Sequence, residues 1–198
     1  MTELATLRQV AGLGSVPAPL SRSALIMIDC QNTYRTGIMK LAGVEEALER
    51  AAQLLTRARS LRIPIIHIMH DAGAGSPYDI RAEIGRIADP VAPAPGEQVI
   101  VKNYPNSFMA TDLDVRLKAA GVTDLVLAGF MTHMCVNSTA RGAFNLGYRP
   151  TVVASATATR DLPSISGHVV PAQTLHEASL AGMADLFAIV VPDVADLK

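Results

Sequence analysis

Apolar residues along this chain arrive in short, dense runs rather than in alternation with polar ones. Ala24-Leu25-Ile26-Met27-Ile28 is the first, and it stops at Asp29. Ile63 to Ile68, Val99 to Val101, Leu125 to Ala128, Pro150 to Ala154 and Phe187 to Val191 repeat the pattern. Runs of this length without a polar face predict strands covered on both sides. Between them the spacing becomes helical. Val44 to Leu61 puts Ala47, Leu48, Ala51, Leu54 and Leu55 on one side of a helix. Leu113 to Ala120 reads as a helix stopped by Gly121, Asn137 to Leu146 as a third helix, and Pro171 opens a fourth that runs to Asp185. Strands alternating with helices predict an α/β fold: a three-layer α/β/α sandwich, Rossmann-like, around a central, mostly parallel six-stranded sheet.

Two stretches fall outside this rhythm. Residues 1–22, with Pro17 and Pro19, read as an arm or short helix before the core. Residues 71–97 carry Gly73, Gly75, Pro77, Pro90, Pro93, Pro95 and Gly96, and Ser76-Pro77 is placed to start a short helix through Ile84. A connection this long is a lid, a subunit contact or a surface insertion. The 198 residues suffice for one domain with a full core, taken as residues 1–198. A chain 49% hydrophobic and 18% charged is not disordered. A net charge of −1 without a basic run argues against nucleic-acid binding by phosphate neutralisation. The apolar runs fall far short of the roughly 20 residues that span a membrane. Met1-Thr2-Glu3-Leu4 has no secretory character, and Cys30 and Cys135 are too few for a disulfide framework, so a cytoplasmic location is expected.

Ligands of open parallel sheets bind beyond the carboxyl ends of the strands. Asp29, Lys102 and Cys135 follow the first, third and fourth runs, which puts three complementary groups on one edge. Cys135 lies in Gly129-Phe130-Met131-Thr132-His133-Met134-Cys135-Val136, at a strand-to-helix turn. Unpaired amides and the helix dipole there favour thiolate over thiol. Cys30 neighbours Asp29 in the chain and therefore faces the opposite way, into the core. Gln31 and Asn32 orient the Asp29 carboxylate or its loop, and Gln31 is also a candidate for the substrate pocket. Tyr34, Tyr104, Phe108, Phe130 and Met131 are candidates for an apolar substrate pocket, with core packing the equal alternative for Phe108. Thr132 and Thr139 close the turn into the helix, and His133 is either structural or substrate-facing.

Three segments resemble the isochorismatase-like cysteine hydrolases: Ile26-Met27-Ile28-Asp29-Cys30-Gln31-Asn32, Val101-Lys102 with Ser107-Phe108, and Gly129-x-x-Thr132-x-x-Cys135-Val136-x-x-Thr139-Ala140. With the order of elements, the resemblance covers roughly residues 22–192 and implies that family's fold. It implies a catalytic triad of Asp29, Lys102 and Cys135. It also implies a cis peptide between Phe130 and Met131, and an oxyanion hole from the backbone N–H groups of Met131 and Cys135. Cys135 would be the nucleophile, Asp29 the proton shuttle and Lys102 the electrostatic partner of both. The implied reaction is hydrolysis of an amide or carbamoyl C–N bond of a small molecule, with a vinyl-ether hydrolase or a non-catalytic binding protein as alternatives. A homo-oligomer, dimer or tetramer, is implied as well.

The sequence departs from one branch of that family. Nicotinamidases hold a metal with an Asp-x-His pair and a further histidine, whereas this chain reads His67-Ile68-Met69-His70-Asp71-Ala72-Gly73. No metal or other cofactor is expected here. His67 and His70, three apart on a strand, face opposite sides.

Overall fold

The computed structural model describes residues 4–198. A one-turn helix, α1 (Leu7–Val10), is capped by Thr6 and tied to the far end of the chain through Arg8 N–H, which donates to Asp185 O at 2.7 Å. The chain then enters β1 (Ser23–Ile28), α2 (Val44–Leu61), β2 (Ile65–His70), β3 (Gln98–Lys102), α3 (Leu113–Ala119) and β4 (Asp124–Phe130). It continues through α4 (Asn137–Asn145), β5 (Arg149–Ala158), a small hairpin of β6 (Leu162–Pro163) and β7 (Val169–Val170), α5 (Ala172–Ala184) and β8 (Ile189–Val191).

Six strands form one sheet in the order β3-β2-β1-β4-β5-β8, and every neighbouring pair is parallel. All residues of β1 and β4 are buried, as the unbroken apolar runs predict for central strands. Successive β1 side chains nevertheless serve different layers. Leu25 and Met27 join Leu48, Leu54 and Leu55 of α2 on one face. Ala24, Ile26 and Ile28 join Leu113 and Leu117 of α3, Ala140 and Ala143 of α4, and Met183 of α5 on the other. The architecture is the three-layer α/β/α sandwich, held by two apolar layers; each fully buried Leu or Ile contributes about 1.5–3 kcal/mol.

Four details depart from the sequence reading. β5 extends to Ala158 because its register against β4 shifts between Leu127 and Gly129, which admits extra residues and carries the strand to the end of β4. The β6–β7 hairpin was not anticipated. Phe187 lies outside β8 and packs edge-on to Phe144, with the Arg141 guanidinium 4.0 Å above its ring. The helix expected from Ser76 to Ile84 does not form; only Glu83–Gly85 makes a single 3-10 turn. Its backbone amides are used otherwise. Asp79 accepts from Gly75 N–H at 2.8 Å and Arg81 N–H at 3.1 Å, which substitutes side-chain turns for helical bonds.

Candidate active site

Three strand ends assemble the site. The Asp29 N–H extends the β1–β2 ladder by one rung, donating to Ile68 O at 3.0 Å. The backbone then turns with φ +49° at Asp29, a left-handed conformation that aspartate tolerates better than most residues. Its carboxylate is fully buried. Lys102 is the last residue of β3, paired in register with His70 at the end of β2. Its side chain is buried too, and Nζ lies 2.7 Å from Asp29 Oδ2 and 3.5 Å from Cys135 Sγ.

Cys135 reaches this pair because β4 ends hard against β1. Gly129 has φ +117°, and a Cβ there would stand 1.9 Å from Ile28 O, so only glycine fits. The Phe130–Met131 peptide that follows is cis. Thr132–Val136 form a π-helical turn continuous with α4, whose first i→i+5 bond runs from Val136 N–H to Met131 O at 3.2 Å. The helix thus starts earlier than its apolar pattern indicates, and Cys135 sits inside its first turn. A buried pair locks the loop after β3 to α4: Thr139 Oγ1 accepts from Ser107 N–H at 3.0 Å and shares a 2.8 Å hydroxyl contact with Ser107.

The electrostatics differ from the expected preformed thiolate. Burial, then the Asp29 charge, pushes the Cys135 thiol up to about 12, with Lys102 opposing. Both effects outweigh the helix start. Burial also raises the Asp29 carboxyl, against the lowering effect of Lys102 and of the Cys135 thiol. Asp29 Oδ1 is buried without a hydrogen-bond partner of its own. The resting site is therefore a protonated thiol beside a carboxyl group whose charged form burial opposes and Lys102 supports.

Around these three groups stand His70, Tyr34 and Tyr78. His70 Nδ1 lies 3.4 Å from Lys102 Nζ, and burial followed by the Lys102 charge lowers its pKa, which leaves a neutral ring able to accept from the ammonium. Tyr78 packs edge-on to both His70 and Tyr34, and Tyr34 packs edge-on to Phe130. Burial and the Asp29 charge hold the Tyr34 phenol well above its ordinary value. His70 and Tyr78 escaped the sequence reading as site residues. The β2–β3 register pairing His70 with Lys102 was the available signal for the first; Tyr78 arrives through an irregular loop that carries no periodicity.

The other predicted pocket residues separate. Gln31 is fully buried, but its amide donates to His70 O at 3.0 Å and Gly85 O at 2.6 Å and accepts from His70 N–H at 2.9 Å. It staples the loop together and offers nothing to a substrate. Phe108 stacks on Tyr148, with ring centroids 5.6 Å apart, and belongs to the core under α3. Tyr104 is half exposed on the loop after β3. Met131 is buried in the α2-side layer. The His133 ring bonds the Thr159 hydroxyl, while Thr132 bonds His176 of α5 at 2.9 Å. His67 points away from the site and meets Glu97 at 2.8 Å. Cys30 faces the core, where burial and the Asp29 charge raise its thiol pKa. Among the described residues no cluster of three His, Cys, Asp or Glu could hold a metal ion, and no helix is long and apolar enough to cross a membrane.

The same arrangement of elements occurs in known proteins. A crystal structure of an isochorismatase from Pseudomonas putida KT2440 superposes with a TM-score of 0.95 at 41% identity, covering 99% of this chain and 100% of that one. A secreted isochorismatase effector of Verticillium dahliae is 32% identical over 189 residues, 95% of this chain and 97% of its own length. Maleamate amidohydrolase of Pseudomonas putida is 33% identical over 155 residues, 67% of this chain and 70% of its own. One of these relatives is secreted, so kinship does not place this chain in the cytoplasm. The model of the isochorismatase domain matches residues 23–193, and the chain belongs to the isochorismatase family.

Proposed function

We propose that this protein is a cysteine hydrolase that cleaves a C–N bond, of amide or carbamoyl type, in a small molecule. The observation that carries the reading is one buried ammonium in contact with both a carboxylate and a thiol, Lys102 between Asp29 and Cys135. Kinship to a protein named as an amidohydrolase supports the bond class. Asp29 would accept the Cys135 thiol proton as Sγ attacks the carbonyl carbon. A thiol held near 12 cannot supply much thiolate at neutral pH, so attack and proton transfer must be coupled. The N–H groups of Met131 and Cys135 would receive the tetrahedral oxyanion. As the C–N bond breaks, Asp29 returns the proton to the leaving nitrogen and a thioester remains on Sγ. Water, deprotonated by Asp29, then attacks the thioester; the acid leaves and Sγ recovers a proton. Lys102 favours the charged form of Asp29 against its burial at each return to the resting state.

The test is turnover of an amide and carbamoyl library by wild type and Cys135→Ala, with mass spectrometry of quenched reactions. An acyl adduct on Cys135 and a loss of at least about 10³-fold in the variant are expected. Full activity in Cys135→Ala would sink the cysteine mechanism; no amide turnover together with Asp29-dependent, Cys135-independent cleavage of a vinyl ether would favour the vinyl-ether reading instead.

A further inference from the structure

Lys102 carries its charge into a place that water does not reach, with a side chain 0% exposed. An ammonium has three N–H donors, and each one left unbonded in such surroundings is costly. Three acceptors stand around Nζ: Asp29 Oδ2 at 2.7 Å, Cys135 Sγ at 3.5 Å and His70 Nδ1 at 3.4 Å. In the proposed reaction the first two exchange a proton, so their grip on the ammonium varies from step to step. The third takes no part in that exchange.

His70 is also fixed where it stands. It is the last residue of β2 and pairs in register with Lys102. The ladder runs one rung further, Asp71 N–H donating to Lys102 O at 3.0 Å. The His70 ring packs edge-on to Tyr78, with centroids 5.1 Å apart. The nearest carboxylate in the chain, Asp71, is engaged elsewhere: it accepts from Gly73 N–H at 2.9 Å and lies 3.5 Å from the Arg81 guanidinium. Among the described residues Lys102 Nζ is the one hydrogen-bond partner of the His70 ring.

We propose that His70 is a positioning residue: its Nδ1 lone pair takes the third N–H of the Lys102 ammonium and holds that charge against Asp29 and Cys135. The contact is a matter of geometry; its use in turnover rests on the hydrolase reading above. It requires the tautomer with the proton on Nε2, because a protonated Nδ1 would turn a second N–H toward the ammonium. Burial and the Lys102 charge both favour the neutral ring.

Alkylation of Cys135 by iodoacetamide in mild alkali, with Cys135→Ala as blank, reads the position of Lys102 through the thiol, whose pKa the Lys102 charge lowers. A neutral imidazole has no charge of its own to exert on Sγ. His70→Leu should slow labelling about threefold to tenfold. His70→Asn, which brings an amide oxygen to the place of Nδ1, should restore most of the rate. Beside Lys102→Met, His70→Leu should change labelling by less than about twofold, whereas an effect of looser packing would persist there. Thermal melting verifies folding, and His70→Val replaces His70→Leu if that variant does not fold. In protein carrying nitrogen-15 histidine, His70 Nδ1 should resonate at neutral pH as an unprotonated nitrogen, assigned by the signal lost in His70→Asn.

Turnover of the amide and carbamoyl library by the same proteins keeps the two readings apart. For any amide hydrolysed, kcat should fall in His70→Leu and return in His70→Asn, with KM within about twofold. The expected labelling pattern without turnover of any amide would leave the Lys102 contact standing and sink the hydrolase. Amide turnover with equal labelling of wild type and His70→Leu, with a labelling change that persists beside Lys102→Met, or with kcat unchanged in His70→Leu would overturn the positioning role and leave the hydrolase standing. A proton on Nδ1 at neutral pH overturns it as well.

Discussion

A thiol and a carboxylate sharing one buried ammonium set the resting chemistry of Cys135. The Asp29 charge raises the thiol and the Lys102 charge lowers it, so the two neighbours have opposite effects that can be separated. Asp29→Asn should lower the Cys135 pKa from about 12, and Lys102→Met should raise it, while both variants lose turnover. The pH dependence of Cys135 alkylation, with Cys135→Ala as blank, measures this directly. A thiol that titrates alike in all three proteins would mean that the triad is a contact without electrical consequence. Labelling and catalysis part company in one variant: Asp29→Asn should label faster near neutral pH and yet hydrolyse nothing, because the base is gone.

At the level of the elements, the site depends on how closely two strands end together. Gly129→Ala places a Cβ against Ile28 O in a backbone conformation that alanine resists. A loss of at least about 3 kcal/mol by urea unfolding is expected, and an unchanged midpoint would contradict the close approach of β4 to β1. The edge of the sheet has its own electrostatic lock. Glu97, just before β3, receives a bidentate pair from Arg59 of α2 and contacts His67 of β2. Arg59 foremost holds its carboxyl down to about 2, against an ordinary 4.5. A folded-state pKa below the unfolded one stabilises fully above about 4.5 and ceases to do so as pH falls toward about 2. That lock contributes about 1–3 kcal/mol, so the stability difference between wild type and Glu97→Gln should shrink across this window. A difference constant from pH 6 to pH 2 would exclude it. His67, whose pKa burial lowers from 6.5, loses stability in the same direction at higher pH, in both proteins.

Across the whole molecule, the 71–97 connection is a cover for its own site. It brings Tyr78 over His70 and Tyr34, and it is bound to the Asp29 loop through Gln31, through Asn32 N–H to Arg86 O at 2.9 Å and through Ala88 N–H to Cys30 O at 2.8 Å. Gln31 makes one of these bonds, to Gly85 O, and two more to the His70 backbone at the end of β2, all from a fully buried side chain. Gln31→Ala should therefore expose residues 72–97 to limited proteolysis and reduce kcat/KM, leaving the Cys135 pKa in place. Proteolysis unchanged from wild type would show that the cover stands without this staple.

Much of this was legible in the chain itself. Periodicity alone located six strands and the main helices, because a strand buried on both faces must be apolar throughout, and that requirement is local. The strand ends of Asp29, Lys102 and Cys135 followed from the same rule, since parallel sheets bring successive carboxyl ends to one edge. The protonation of Cys135 did not follow: a turn into a helix favours thiolate, and only the depth of burial and the nearness of Asp29 reverse it. Gln31 and Phe108 read as pocket residues because position near a motif says nothing about direction. His70 and Tyr78 come to the site through strand register and a loop path, which depend on contacts between residues far apart in sequence. Local pattern sets which elements form; the distances among their ends, and with them the charges, are set by packing.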